Sequence, residues 1–317
     1  MRAALLLFAS TMLAMPATAQ DCPDGLRIFE HEMGIACIPM APQRIIATRG
    51  DSLATPLLDI GAPLVGAGFR EMEDGTPWIR GATDIFGDVF VEAAGLASVG
   101  APNQADIEAV AALAPDLIFI RAFEAERLPQ FEAIAPTVVV PGDLPYLDHM
   151  AFLADAAGLA DTYEARIAAY RARIDTARDV IGSPEEITVS RLDVEDGGLW
   201  YYPNWGAIDQ VIDDIGFAKP AIQAEAPPDG FNNLSAERIM AFDGDVILTS
   251  SAPRFGQTIA MKTEQFDTVA PFWDQLAGVR SGNLFWYERD IYVGYTFESL
   301  DRSIDLLTTI TAGRDFD

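Results

Sequence analysis

The sequence is poor in histidine and in positive charge, and it lacks the glycine-rich loops that bind nucleotides. Its only histidines are His31 and His149, so neither a zinc or manganese site built on histidine clusters nor a Ser-His-Asp triad is expected. A formal net charge of −27 would repel nucleic-acid phosphates. Arg70 and Glu71 stand where a dinucleotide-binding loop that begins at Gly66 needs its third glycine. We therefore predict no resident cofactor, no directly bound metal and no nucleic-acid partner.

Long apolar runs are also scarce, and the one at the start of the chain has the features of a secretory signal peptide. Arg2 precedes an apolar segment that is too short for a membrane span, and residues 17–19 (ATA) match a cleavage site. We predict a signal peptide over residues 1–19 and a mature protein that is soluble in the periplasm. Lipid anchoring through Cys22 is the alternative, although the residues before Cys22 are not the small ones typical of a lipidated cysteine.

Cysteine is equally rare, since Cys22 and Cys37 are the only two in the chain. They are close in sequence and belong to a chain predicted to be exported, where the compartment favours disulfides. We predict that they form a disulfide, which would close a short loop and stabilise the fold by roughly 3 kcal/mol. Two free thiols are the alternative.

Strand and helix signals alternate along most of the chain, which is typical of parallel α/β structure. A hairpin is predicted at residues 27–39, before the first alternating region. The alternation stops in the middle of the chain and restarts after Pro184. We predict an N-terminal α/β lobe over residues 20–145, a helical segment over residues 146–183 and a C-terminal α/β lobe over residues 184–317.

A long helix is predicted within the middle segment. Apolar residues spaced by three or four define one of its faces: Tyr163, Ile167, Tyr170, Ile174, Ala177 and Ile181. A helix over Ala160–Ile181 would be about 33 Å long at 1.5 Å per residue. We predict two Rossmann-like lobes bridged by this single helix, with a ligand cleft between the lobes. An ordinary surface helix within one domain is the alternative.

Five arginines follow predicted strands at or just beyond their carboxyl ends: Arg49, Arg70, Arg121, Arg191 and Arg254. Ligands of parallel sheets bind outside the carboxyl ends of the strands. If the lobes face each other, these cations converge on one cleft, where a guanidinium offers planar, bidentate donors to carboxylate or catecholate oxygens. The sequence therefore predicts an anion-binding cleft. Five separate surface ion pairs are the alternative.

Aromatic residues in or beside the neighbouring loops are predicted to form the walls of this cleft: Trp78, Tyr201, Tyr202, Trp205, Tyr292 and Tyr295. Large aromatic walls suit a bulky chelate, through stacking and cation–π contacts. Trp200 and Tyr202 share one face of a predicted strand, so a role in the core is the alternative for that pair.

Several short motifs occur in a characteristic order: residues 31–39 (HEMGIACIP), 42–46 (PQRII), 106–117 (DIEAVAALAPDL), 133–137 (AIAPT), 234–237 (LSAE), 245–247 (DVI), 271–279 (PFWDQLAGV) and 282–285 (GNLF). Their order and spacing resemble those of the periplasmic binding proteins for ferric siderophores, haem and vitamin B12, and the resemblance covers nearly the whole mature chain. It implies two lobes joined by one long helix, and a rigid, monomeric binder that serves an ATP-driven importer. The loop at residues 48–52 is more charged than the family pattern.

The resemblance also implies roles for Glu108 and Glu237, because matching glutamates of the family dock onto arginines of the permease. Composition alone would make both of them ordinary exposed acids. With the arginines, the resemblance predicts a periplasmic binding protein, not an enzyme, that captures an anionic Fe(III)-siderophore and delivers it to an ABC importer. In this prediction the siderophore holds the iron.

Two alternative functions remain open from the sequence. The first is haem or cobalamin binding, for which Tyr201 or Tyr292 would have to serve as the axial ligand of a haem, because histidine is scarce. The second is an exported hydrolase that uses carboxylates of the cleft, although no pair of carboxylates stands out.

Overall fold

The computed structural model describes residues 22–88, 90–195 and 197–316. The predicted signal peptide, residues 1–19, lies outside the described residues. In the described part of the chain, no helix combines the length and apolar character needed to span a bilayer.

The structure alternates strands and helices in both halves of the chain. The strands are β1 (Leu26–His31), β2 (Gly34–Pro39), β3 (Ile45–Ala47), β4 (Leu64–Ala67), β5 (Arg70–Glu71), β6 (Pro77–Trp78), β7 (Ala97–Ser98), β8 (Gly100–Ala101), β9 (Gln104–Ala105), β10 (Leu117–Arg121), β11 (Thr137–Val140), β12 (Val189–Arg191), β13 (Asp193–Glu195), β14 (Gly198–Tyr201), β15 (Phe231–Leu234), β16 (Val246–Ser251) and β17 (Leu284–Glu288). The α-helices are α1 (Thr55–Asp59), α2 (Thr83–Phe86), α3 (Phe90–Ala93), α4 (Ile107–Ala112), α5 (Leu128–Glu132), α6 (Tyr146–Ala156), α7 (Ala160–Ile181), α8 (Ala207–Ile215), α9 (Ala221–Ala224), α10 (Ile259–Val269), α11 (Ala277–Arg280), α12 (Arg289–Tyr292) and α13 (Phe297–Thr311). A π turn spans Gly50–Ala54, and short 3₁₀ helices span Ala122–Arg127, Pro184–Glu186, Ala236–Phe242, Pro253–Phe255 and Trp273–Gln275.

Each lobe is built on a parallel sheet. In the N-terminal lobe, five parallel strands lie in the order β11-β10-β3-β4-β7. In the C-terminal lobe, β12, β16 and β17 are parallel, and β13, β14 and β15 form a separate antiparallel sheet. The central strands are continuous apolar runs because both faces of a parallel sheet are covered. The predicted α/β fold class is thus confirmed.

The helices α6 and α7 connect the two lobes. One face of α6 packs into the N-terminal core through Leu153 and Ala156, and another packs into the C-terminal core through Tyr146 and Met150. The helix α7 has the predicted bounds, Ala160–Ile181. Its face from Tyr163 to Ala177 is buried against the C-terminal core as predicted, and each apolar side chain buried there stabilises the fold by about 1.5–3 kcal/mol.

The opening hairpin of β1 and β2 is fastened by the predicted disulfide between Cys22 and Cys37, whose Cα atoms are 5.6 Å apart. The buried side of the hairpin places Phe29 and Ile38 against the N-terminal lobe. Closing a loop of this length stabilises the fold by roughly 3 kcal/mol according to the loop-entropy estimate.

A buried histidine lies where α6 meets the N-terminal lobe. His149 Nε2 is 2.6 Å from the carbonyl oxygen of Ser52, and Nδ1 is 3.4 Å from Nη1 of Arg121. Because a carbonyl only accepts and a guanidinium only donates, these contacts require a neutral ring that carries its proton on Nε2. Burial lowers the pKa of His149 to about 4; the Ser52 carbonyl partly opposes this shift, and the charge of Arg121 adds to it.

Protonation of His149 in the unfolded chain should make the folded state less stable in acid. The unfolded pKa is about 6.5, so the unfolded chain takes up the proton first as the pH falls. The stabilisation from the neutral ring is complete above about pH 6.5 and declines towards the folded pKa of about 4. Between pH 7.5 and 5 the wild type should lose about 2 kcal/mol more free energy of unfolding than His149→Gln does. Urea unfolding of both proteins at the two pH values measures this; equal losses would contradict it.

Candidate functional site

Three adjoining cavities lie in the cleft within the described part of the chain. The central cavity has a volume of about 280 Å³ and is lined by Arg49, Asp51, Ser52, Arg80, Arg121, Phe123, Asn204, Trp205, Gly206, Val293, Gly294 and Tyr295. The aromatic pocket, about 200 Å³, is lined by Arg80, Arg191, Asp193, Glu195, Trp200, Tyr201, Tyr202, Trp205 and Arg289. The side pocket, about 90 Å³, is lined by the N-terminal lobe alone. Residues of both lobes line the first two cavities.

The backbones of the two lobes come close together beside the central cavity. A side chain on Gly81 would come within 3.0 Å of the Gly294 Cα, and Gly81 has a φ of +79°, which glycine adopts at little cost. The Tyr146 hydroxyl donates a 2.6 Å hydrogen bond to the Gly294 carbonyl. Gly294 is therefore held against both α6 and the N-terminal lobe, and this fixes the base of the cavity.

Arg49 reaches the central cavity, as predicted, but it is already paired. Its Nε and Nη2 bind the Asp51 carboxylate at 2.5 Å and 3.0 Å, and its Nη1 donates to Asn103 at 2.9 Å. The hydrogen bonds that Arg49 donates to Asp51 raise the pKa of Arg49. The guanidinium also lies 5.9 Å from the centre of the Phe123 ring. Asp51 comes from the charged loop that departs from the family pattern.

Arg121, the last residue of β10, carries the cavity's unpaired positive charge. The closest polar contacts of its guanidinium among the described residues are His149 Nδ1 at 3.4 Å and the Gly142 carbonyl at 3.5 Å, and neither is anionic; the backbone N–H of Arg121 donates to the buried Glu124 carboxylate at 3.4 Å. Burial lowers the pKa of Arg121 and the charge of Arg49 adds to that effect, while Tyr295 and Asp51 oppose it. Arginine nevertheless stays protonated in proteins. A partly desolvated guanidinium without a counter-ion is a ready site for an anionic group.

Arg80 and Arg289 are cleft residues that the strand-end pattern did not single out. Arg80 lines all three cavities and pairs across the cleft with Asp290 at 3.1 Å. Arg289 pairs with the same carboxylate and with Glu195, both at 3.3 Å. Arg289 directly follows β17, so the strand-end rule applied to that strand would have found it. Arg80 follows the two-residue strand β6, which has no clear sequence signal.

The other three predicted arginines lie outside the central cavity. Arg70 is exposed and lines the side pocket, 6.0 Å from the centre of the Trp78 ring. Arg191 is 5% exposed and forms a buried ion pair with Asp209 at 2.8 Å. Its guanidinium also contacts the Tyr202 carbonyl and lies 5.0 Å from the centre of the Tyr201 ring, which leaves it little surface for a ligand.

Arg254 crosses from the C-terminal lobe to the N-terminal lobe. Its Nε is 2.6 Å from Asp84 and its Nη1 is 2.8 Å from Asp88. Trp78 also donates to Asp84, at 3.1 Å, and packs edge-on against Phe255 with ring centres 4.9 Å apart. Trp78 and Arg254 therefore connect the lobes, and Trp78 lines the side pocket but not the central cavity.

Tyr202 and Trp205 form an aromatic wall, as predicted. Their rings stack with centres 5.4 Å apart, and Trp200 meets Tyr202 edge-on at 4.9 Å. Trp205 lines both the central cavity and the aromatic pocket. The alternative that placed Trp200 and Tyr202 in the core is wrong, because Tyr201, with 1% exposure, is the residue that packs into the core. Side chains alternate along a strand, so the opposite face is the one that opens towards the pocket.

Tyr295, not Tyr292, presents its ring to the central cavity. Tyr292 packs edge-on against Tyr287, with ring centres 5.6 Å apart, and lines none of the three cavities. Tyr295 stacks on Tyr146 at 4.8 Å and lies 5.2 Å from the His149 ring. Burial raises the pKa of Tyr295, so its phenol is a neutral donor at physiological pH.

The two glutamates named for docking are both exposed. Glu108 lies in the first turn of α4, where the Asp106 carboxylate caps the helix by accepting from the backbone N–H of Glu108 at 2.8 Å. Glu237 lies in the first turn of the 3₁₀ helix Ala236–Phe242. Neither residue lines the three cavities.

Comparisons with known proteins agree on one family. Residues 88–290 match the family described as periplasmic binding protein. The probable siderophore-binding lipoprotein YfiY of Bacillus subtilis (strain 168) is 27% identical over 293 residues, which cover 89% of this chain and 86% of that protein.

Solved structures show the same fold. SirA of Staphylococcus aureus, complexed with staphyloferrin B, matches with a TM-score of 0.72 at 17% identity, covering 90% of this chain and 98% of that one. FhuD2 of the same species, with bound ferrioxamine B, matches with a TM-score of 0.67 at 22% identity, covering 85% and 98%. Because the family match spans well over half of the chain, this protein belongs to the periplasmic binding protein family.

Proposed function

We propose that this protein captures a ferric siderophore in the central cavity and delivers it to the permease of an ABC importer. The observation that carries the proposal is the unpaired guanidinium of Arg121, which lies between two lobes in a chain of net charge −27. A positive site in so acidic a protein favours a ligand with an anionic group. In this proposal the iron travels as part of the ligand, held by the siderophore.

The aromatic wall supports a bulky ligand. Trp205 and Tyr202 offer stacked faces, and Phe123, which is 57% exposed, stands on the N-terminal side of the same cavity. Exposed aromatic faces on both sides of a cleft suit a large chelate that is partly apolar. The names of the relatives support the same ligand class, because YfiY is described as siderophore-binding and the two structural neighbours hold staphyloferrin B and ferrioxamine B.

The geometry favours a siderophore over haem. Of the tyrosines considered as axial ligands, Tyr201 is in the core and Tyr292 lies outside the three cavities. Tyr295 reaches the central cavity, but it packs flat on Tyr146.

We also propose that the protein works in the periplasm as a soluble monomer after removal of residues 1–19. The two lobes act with residues 146–183 as the bridge between them. Ion pairs across the cleft, such as Arg80–Asp290 and Arg254–Asp84, support a relatively rigid binder.

Trp205→Ala should weaken binding of a ferric siderophore about fivefold to tenfold, because roughly 1 kcal/mol of aromatic contact is lost. The measurement is equilibrium binding to the ferric complexes of a trihydroxamate, a tris-catecholate and a carboxylate chelator. Phe272→Ala removes an aromatic side chain of 56% exposure outside the three cavities and should leave the affinity unchanged. No micromolar binding of any of these chelates to the wild type would rule out siderophore capture.

Glu108 and Glu237 are proposed to dock onto the permease. Replacing both with alanine should lower uptake of the ⁵⁵Fe-labelled siderophore about tenfold, the equivalent of about 1.4 kcal/mol of lost docking energy, and should leave the affinity of the purified protein unchanged. A control with the same change in charge replaces the exposed Glu164 and Glu185 and should transport normally. Equal uptake in both double variants would contradict the docking role.

A further inference from the structure

Nearly every cation of the cleft already has a carboxylate partner. The arginines that line the central cavity and the aromatic pocket are Arg49, Arg80, Arg121, Arg191 and Arg289. If all of these charges were free, the cleft would suit a polyanion. The contacts of each arginine therefore determine how much unpaired positive charge faces a ligand in the cleft.

Arg49 presents no net charge to the ligand. Burial alone would raise the pKa of Asp51, but the hydrogen bonds and charge of Arg49, together with the charge of Arg80, lower it below its ordinary value. Asp51 is therefore ionised and cancels the charge of Arg49 at a distance of 2.5 Å. Arg191 is cancelled in the same way by Asp209, at 2.8 Å.

Arg80 and Arg289 share two carboxylates. Asp290, which is 2% exposed, lies 3.1 Å from Arg80 and 3.3 Å from Arg289, and Glu195 lies 3.3 Å from Arg289. Two guanidinium charges therefore face two carboxylate charges. This group is neutral as a whole.

Arg121 is the exception among the described residues of the two cavities. The pKa of His149, its neighbour, is lowered to about 4, so the ring is neutral and supplies no charge of either sign near pH 7. Arg70 also makes no ion pair with a described residue, but it is exposed to water in the side pocket, where its charge is screened. The cleft thus offers a ligand one desolvated positive charge.

The carboxylates near that position already have cation partners. Asp51, Asp193 and Glu195 line the two cavities and are paired with Arg49, Lys262 and Arg289 respectively. The buried carboxylate of Glu124 lies behind them and accepts a 2.6 Å hydrogen bond from the Thr48 hydroxyl. Any anionic group beyond the first would find no further unpaired cation among the described residues of the two cavities, and it would lose hydration in a partly desolvated cleft without compensation.

We infer that the cleft selects a ferric chelate with a single net negative charge, carried by one carboxylate that binds Arg121, and that it discriminates against polyanionic chelates such as a ferric tris-catecholate. The inference rests on the proposed function, since it names the class of siderophore that the same site takes. Arg121 is then the residue that determines specificity.

A chemically matched series tests the charge rule. The ferric complex of desferrioxamine B has a terminal ammonium and is monocationic; its N-acetylated form is neutral, and its N-succinylated form ends in a carboxylate and is monoanionic. A ferric tris-catecholate provides the trianion. In equilibrium titrations of the full-length mature protein, the succinylated chelate should bind about 10- to 100-fold more tightly than the acetylated one. The trianion and the monocation should bind more weakly than the succinylated chelate.

Variants assign the preference to Arg121. In Arg121→Gln, the advantage of the succinylated chelate over the acetylated one should fall below about threefold. Arg121→Lys keeps the charge and should retain most of the preference, and it serves as the test if the glutamine variant does not fold. Arg171→Gln removes an exposed arginine of α7 and should keep the wild-type ratio.

The outcomes separate the inference from the proposed function. Tightest binding of the trianion, or an unchanged preference in Arg121→Gln, would overturn the single-charge rule while siderophore capture stands. No binding of any of the four chelates, nor of the ferric complex of the carboxylate chelator, to the wild type would overturn both.

Discussion

Ion pairs hold the two lobes together and take up most of the positive charge that lines the cleft. Arg80 reaches from the N-terminal lobe to Asp290, and Arg254 reaches from the C-terminal lobe to Asp84. These partly buried pairs hold the lobes together, and they also use up positive charge that would otherwise face the ligand. Only an arginine without such a partner can offer its positive charge to a ligand. The pair Arg80–Asp290 contributes to both the rigidity and the selectivity of the site, and the pairs within each lobe, such as Arg49–Asp51 and Arg191–Asp209, contribute to its selectivity.

Among the described residues of the central cavity and the aromatic pocket, the one cation without an ion pair is Arg121, and an uncharged neighbour holds it in place. His149 donates to the Ser52 carbonyl and accepts from Arg121, so the ring orients the guanidinium without neutralising it. A carboxylate in this place would have cancelled the charge, as Asp51 does for Arg49. The burial of His149 thus keeps the ring neutral beside Arg121, and it also makes the stability of the fold depend on pH. Tyr295 packs beside the same ring and also lines the central cavity.

The sequence predicts the secondary structure of this molecule better than it predicts which charged side chains form ion pairs. The regular spacing from Tyr163 to Ile181 predicts α7 residue for residue, because the apolar residues of an amphipathic helix recur every three or four positions in the sequence. The strand-end rule brings Arg49 and Arg121 to the cavity for a similarly local reason. It cannot reveal that Asp290, from the other lobe, would face Arg80, because that contact joins distant parts of the chain. Tyr201 and Tyr202 show a further limit of sequence-based prediction. Neighbouring residues of a strand face opposite sides of the sheet, and without the register of the strand the sequence does not show which tyrosine faces the core and which faces the pocket.

The central claim is that a ligand anion binds the unpaired guanidinium of Arg121 in the central cavity while the other arginines of that cavity and of the aromatic pocket keep their partners. A crystal structure of the protein with the N-succinylated ferric desferrioxamine tests this most directly. The account predicts that the carboxylate of the ligand lies within hydrogen-bonding distance of Arg121, with Asp51 still on Arg49 and Asp290 still on Arg80. A complex in which the carboxylate binds elsewhere, or in which Asp51 has left Arg49 to make room for it, would contradict the account.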